Sequence, residues 1–133
     1  MRKQYNFWPG DRGLDAWDVD RLIELTANFP VTSVRIDSLL ELDQNYWSLN
    51  ESTSVRAVSE HIQLVNDADT QYPIILAASG RIMDGMHRVV KVLLAGGEFI
   101  DAVQFSVDPA PDFTNCRPED LDYEETSTFD RRS

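Results

Sequence analysis

Pro73-Ile74-Ile75-Leu76-Ala77-Ala78-Ser79-Gly80-Arg81-Ile82-Met83-Asp84-Gly85-Met86-His87-Arg88-Val89-Val90 is the stretch that decides the fold. Pro73 to Ala77 is a short unbroken apolar run, the pattern of a strand buried on both faces. Ala78-Ser79-Gly80 supplies a tight turn, and Arg81-Ile82-Met83 reads as its hairpin partner. Met86, Val89, Val90, Leu93 and Leu94 then recur at helical spacing, so a helix runs from about Met86 to Ala95. Gly96-Gly97 ends it with a residue free to turn left-handed. Strand, hairpin and helix in that order predict a small α/β (α+β) domain with a mixed sheet.

The flanks extend this pattern. Tyr5 to Gly13, with Trp8-Pro9-Gly10, reads as an irregular arm. A helix follows, with Asp15 as N-cap, Asp18 at its third position, and a staple between Leu14 and Val19. Val19, Leu22, Ile23 and Thr26 share one face, and Pro30 ends the helix near Asn28. Val31 to Asp37 alternates as a strand, Ser38 to Asp43 reads as one helical turn, and a loop passes through Tyr46, Trp47 and Asn50. A second helix spans about Thr53 to Asn66, capped by Ser52 or Thr53, with Val55, Val58, Ile62 and Val65 as its apolar stripe. The last strand, Phe99 to Val107, places Phe99, Val103, Phe105 and Val107 on one side. The division expected is an arm at 1–13, a domain at 14–107 and an acidic extension at 108–133. In that extension Phe113 and Leu121 pack back while the final residues stay mobile.

Composition limits the functions. The chain has 133 residues, 42% of them apolar, enough for one core. No run approaches the roughly 18 apolar residues of a membrane span. The N-terminus lacks a signal-peptide core and Cys116 is the single cysteine, so a cytoplasmic protein is expected. Against 23 acidic residues stand 12 lysines and arginines, a formal charge of −11. That field repels nucleic acids and anionic membranes and argues against nonspecific nucleic-acid binding. It leaves room for one small anion held locally, or for a basic protein partner on the acidic surface.

The candidate site is the junction Asp84-Gly85-Met86-His87-Arg88. The first amides of a helix lack internal acceptors and lie at the positive end of its dipole, so they bind anions. Gly85 lets a ligand approach the backbone, and His87 and Arg88 sit in the first turn opposite the core stripe, within reach of the same anion. Asp84 has three readings: cap of the helix, catalytic base, or holder of a Mg²⁺ ion that bridges to phosphate. Two histidines without a cysteine at ligand spacing argue against zinc.

Pro73 to Leu76, the hairpin and the Asp-Gly-Met-His-Arg box together resemble the core of the ParB/sulfiredoxin-like superfamily, which includes the ParB-like nuclease domain. The resemblance covers about Val31 to Phe105 and implies a nucleotide triphosphate bound at the helix start. The superfamily includes CTP-hydrolysing partition proteins, ATP-using sulfiredoxins and a free-serine kinase with a similar box, so phosphotransfer or nucleotide hydrolysis is the implied activity. In sulfiredoxins the residue before His-Arg is the reactive cysteine; Met86 stands there in this chain, which argues against sulfinic-acid reduction. By the same likeness the Thr53–Asn66 helix lines a pocket with Ser54, Ala57 and His61, with Arg56 nearby. A second acidic group falls to Glu41, Asp43 or Glu60. The alternative is a non-catalytic acidic interaction module that keeps the fold.

Overall fold

The computed structural model describes residues 3–44, 46 and 54–123. The elements are β1 (Tyr5–Pro9), β2 (Leu14–Asp18), α1 (Val19–Thr26), β3 (Thr32–Arg35), α2 (Val55–Asp67), β4 (Ile74–Leu76), β5 (Ile82–Asp84), α3 (Met86–Leu94), β6 (Phe99–Gln104) and β7 (Phe113–Cys116). They form a small α+β domain with three α-helices among the described residues. A four-stranded mixed sheet runs in the order β3-β6-β4-β5, and a three-stranded antiparallel sheet in the order β1-β2-β7. The strand β4 pairs parallel with β6 and antiparallel with β5.

As expected for a doubly buried strand, β4 sends alternate residues to opposite sides. Ile75 and Ala77 enter one cluster with Trp17, Leu22, Ile23, Met83 and Phe105. Ile74 and Leu76 enter the other with Ile36, Ile82, Met86 and Val89. The first cluster seats α1 and β2, the second α3. The same alternation corrects the reading of β6. Ile100 and Ala102 face the α3 side and Val103 and Phe105 the α1 side, while Phe99 and Val107 are exposed. A strand covered on both faces has no single apolar side to find.

The N-terminal arm is a strand. Tyr5 pairs with Asp18 and Pro9 with Leu14 in an antiparallel hairpin. Leu14 to Asp18 is therefore extended, and α1 begins three residues later than the sequence suggests. Its N-cap is Asp18, whose carboxylate accepts from Asp20 N at 3.0 Å, in place of Asp15. Hairpin pairing overrides the local cap signal here. The buried face of α1 is Val19, Leu22, Ile23 and Thr26, as the periodicity requires.

The extension after Asp108 is anchored. Strand β7 pairs with β2, Trp17 Nε1 donates to Pro109 O at 2.8 Å, and Asp112 accepts from Asp18 N and pairs with Arg21. Phe113 packs edge-on against Tyr5. The expected mobility of the last residues concerns positions outside the described ones, as do Trp47, Asn50, Ser52 and Thr53.

Helix α2 departs most from expectation. Ser54 caps it, accepting from Ala57 N at 3.1 Å. Of the apolar stripe only Val65 is buried; Val55, Val58 and Ile62 are exposed, Val55 by 83%. On α3, Met86 and Val89 are buried while Leu93 and Leu94 lie in solvent. No helix among the described residues is long and apolar enough to cross a membrane.

Candidate functional site

Strand β5 delivers the chain to Asp84, and Gly85 turns it into α3. Gly85 has φ 112° and ψ 18° and is the N-cap residue, so no side chain caps the helix start. The first helical bond is Val89 N to Gly85 O at 3.1 Å. Asp84, offered above as a possible cap, lies one residue too early for that role.

Arg88 does not reach outward with His87, as its place in the first turn suggests; it is 1% exposed. Its Nη2 donates to Asp84 Oδ2 at 2.9 Å, one helical turn back. Glycine makes this possible: a Cβ at position 85 would stand 2.6 Å from Arg88 Nη2 and 2.6 Å from Ile74 Cγ2. The long arginine thus folds back under the turn into space a larger residue would fill. Arg88 Nε and Nη1 are buried with no hydrogen-bond partner among the described residues. Buried donors on a cation are costly to leave unsatisfied, and native interiors rarely do so. These two nitrogens, with three N–H bonds between them, call for an acceptor.

The other carboxylates divide clearly. Glu41, on a 3-10 turn at Leu40–Asp43, is buried and accepts from Ile82 N at 2.6 Å. Since β5 is an edge strand, that amide would otherwise lack a ladder partner, so Glu41 closes the sheet edge. Asp43 and Glu60 are exposed. Tyr46 belongs to this neighbourhood. Burial, then the charges of Glu41 and Asp84, push its phenol up to about 12, with Arg81 acting the opposite way. The residue as a whole is 36% exposed.

From α2, His61 meets His87 of α3. His61 Nδ1 lies 3.1 Å from His87 Nε2, and both are half-buried. Ala57 is half-buried on the same helix, the Ser54 hydroxyl is engaged as the cap, and Arg56 is exposed. The fold therefore joins Asp84, Gly85, Met86 and Arg88 into a buried turn, with His87 and His61 at its outer side. Sequence reasoning missed the Asp84–Arg88 pair, although the i, i+4 spacing announced it, and missed Glu41 as the edge cap. A separate apolar groove of about 280 Å³, lined by Ile23, Phe29, Val31, Pro73 and Val103, presents no charged side chain.

No family model matches this chain, and no curated protein or solved structure matches it at a significant level.

Proposed function

We propose that this protein binds a phosphate-bearing small molecule, of the nucleotide class, at the β5–α3 turn, in the manner of a ParB/sulfiredoxin-like domain. The observation that carries the reading is Arg88: a buried guanidinium with Nε and Nη1 unsatisfied among the described residues, beneath a helix start that no side chain caps. Guanidinium edges and first-turn amides both suit phosphate oxygens. Gly85 and Met86 are buried and His87 is half-buried, so the anion approaches along the His61–His87 side. Asp84 acts as the positioning residue that orients the guanidinium.

Mg²⁺ is usually held by one or two carboxylates together with substrate phosphates and water, so an ion carried by Asp84 would arrive with the phosphate and would compete with Arg88, 2.9 Å from that carboxylate. Turnover, as a phosphotransferase or nucleotide hydrolase, is the narrower form of the proposal. It rests on His87, the titratable group of the turn that reaches solvent, as the proton acceptor.

Thermal unfolding of the protein against inorganic phosphate and a panel of nucleotides tests the reading. A ligand at 100 times its dissociation constant stabilises the folded state by about 2.7 kcal/mol. The stabilisation should be lost in Arg88→Lys, which keeps the charge and removes the two spare guanidinium nitrogens. Absence of any shift at millimolar ligand, from folded protein, defeats the proposal.

One observation favours the alternative, an acidic interaction module. Val55, Val58 and Ile62 form an exposed apolar stripe along α2, on a chain of net charge −11. Salt-sensitive capture of a basic protein, abolished by Val58→Glu, would support that reading over the first.

A further inference from the structure

The chain contains two histidines, and the fold brings them together. His61 on α2 and His87 on α3 stand 26 positions apart in sequence, with Nδ1 of one 3.1 Å from Nε2 of the other. Their ring centroids are 5.3 Å apart and the planes are inclined by 28°. The two helices pack directly on each other, so the pair is carried by regular backbone on both sides. Both side chains are half-buried, which fixes them while leaving a path from solvent.

We propose that His61 and His87 form a chelating site for a divalent transition ion of the zinc, nickel or copper class. Bonds of about 2.0–2.1 Å at a tetrahedral centre set two nitrogens about 3.3 Å apart, and a right-angled centre sets them about 2.9 Å apart. The separation of 3.1 Å lies between these, so the two nitrogens are spaced as ligands of one ion are, and turning the rings from their mutual hydrogen bond toward a common point completes the bite. Imidazole is the preferred neutral ligand for these metals. In the metal-free pair, one ring donates its N–H to the other. On metal binding that ring shifts its proton to its outward nitrogen, so both inward lone pairs face the ion. Both rings stay neutral and each keeps one N–H. Protons and the ion compete for the same lone pairs.

Two fields act on such an ion. The positive end of α3 opposes it, and the net charge of −11 attracts it. Among the described residues no three His, Cys, Asp or Glu side chains come together, so water or an exchangeable ligand completes the shell. The coordination is therefore open and the affinity moderate. The site uses imidazoles alone and does not depend on phosphate binding at the neighbouring turn.

Titration of the full chain with zinc chloride, without phosphate, tests the inference by calorimetry and by the imidazole proton resonances. Because the chain has only these two histidines, both sets of signals belong to the pair. The expected result is 1:1 binding, with both rings perturbed together. His61→Gln and His87→Gln should each weaken binding at least tenfold. Unperturbed imidazole signals at millimolar zinc in the folded wild type would overturn the proposal. Variants that bind as tightly as the wild type would do the same, since they would move the ion to surface carboxylates. If His87→Gln does not fold, His61→Gln and the wild-type spectra decide. Failure here leaves phosphate binding untouched, because that is read without metal.

Discussion

Replacing Gly85 by alanine probes the turn on which the whole site is built. The backbone there has φ 112°, a conformation that costs an L-residue about 1–2 kcal/mol. The new Cβ would also stand 2.6 Å from both Arg88 Nη2 and Ile74 Cγ2, and 3.0 Å from Ile74 Cβ. Arginine can swing, but only by giving up Asp84; Ile74 is fully buried in the central strand and cannot yield. Overpacking of that kind costs about 1–3 kcal/mol. The sum is a loss of about 2–5 kcal/mol from a domain whose total stability is on the order of 5–15 kcal/mol. At roughly 4 °C per kcal/mol for a chain of this size, the unfolding midpoint should fall by about 8–20 °C. Circular dichroism on purified wild type and Gly85→Ala reads this directly. A loss below about 1 kcal/mol would show that the turn does not have the left-handed, tightly packed form described, and the placement of Arg88 beneath it would fall as well.

Three further outcomes follow from the same contacts. Arg88→Met removes the guanidinium 2.9 Å from the buried Asp84 carboxylate and should cost about 3–5 kcal/mol in denaturant unfolding; adding Asp84→Asn should restore part of that stability, whereas a further loss would refute the pairing. The Tyr46 phenol, held protonated up to about 12, favours the folded form below its unfolded value, and that contribution fades as pH rises from about 10 to about 12. Tyrosinate absorbance should therefore show a late-titrating tyrosine that is missing in Tyr46→Phe, and an unchanged titration in that variant would contradict the enclosure of the hydroxyl. A chain ending at residue 107 loses β7, the Trp17–Pro109 hydrogen bond and the Asp112 contacts; it should unfold at lower denaturant than the full chain and expose Trp17 to quencher, and unchanged stability would make the extension dispensable.

The central part of the fold was legible because its residues obey one rule each. Ile74 to Leu76 is apolar throughout since both faces are covered, and the α1 face repeats at helical spacing since one side meets the core. The parts that misled are those where partners distant in sequence decide. Leu14 to Asp18 carries no β-branched residue and two acids, yet pairing with Tyr5 to Pro9 on one side and β7 on the other holds it extended. The α2 stripe has the right period but, among the described residues, no neighbour that buries Val55 or Ile62. At the site, glycine at the strand–helix junction was readable as a tight turn. The inward path of Arg88 was not, because it depends on the space Gly85 leaves beside Ile74 as much as on the Asp84 spacing. The meeting of His61 with His87 depends on how two helices pack, which periodicity does not encode.

The most direct test of phosphate binding is a backbone amide and arginine Nε NMR titration with inorganic phosphate. Phosphate on the α3 start should shift the amides of Met86, His87 and Arg88 together with Arg88 Nε, and leave α1 unmoved. Unchanged signals at those four positions, at tens of millimolar phosphate in a folded sample, would contradict the account and leave the turn a purely structural one.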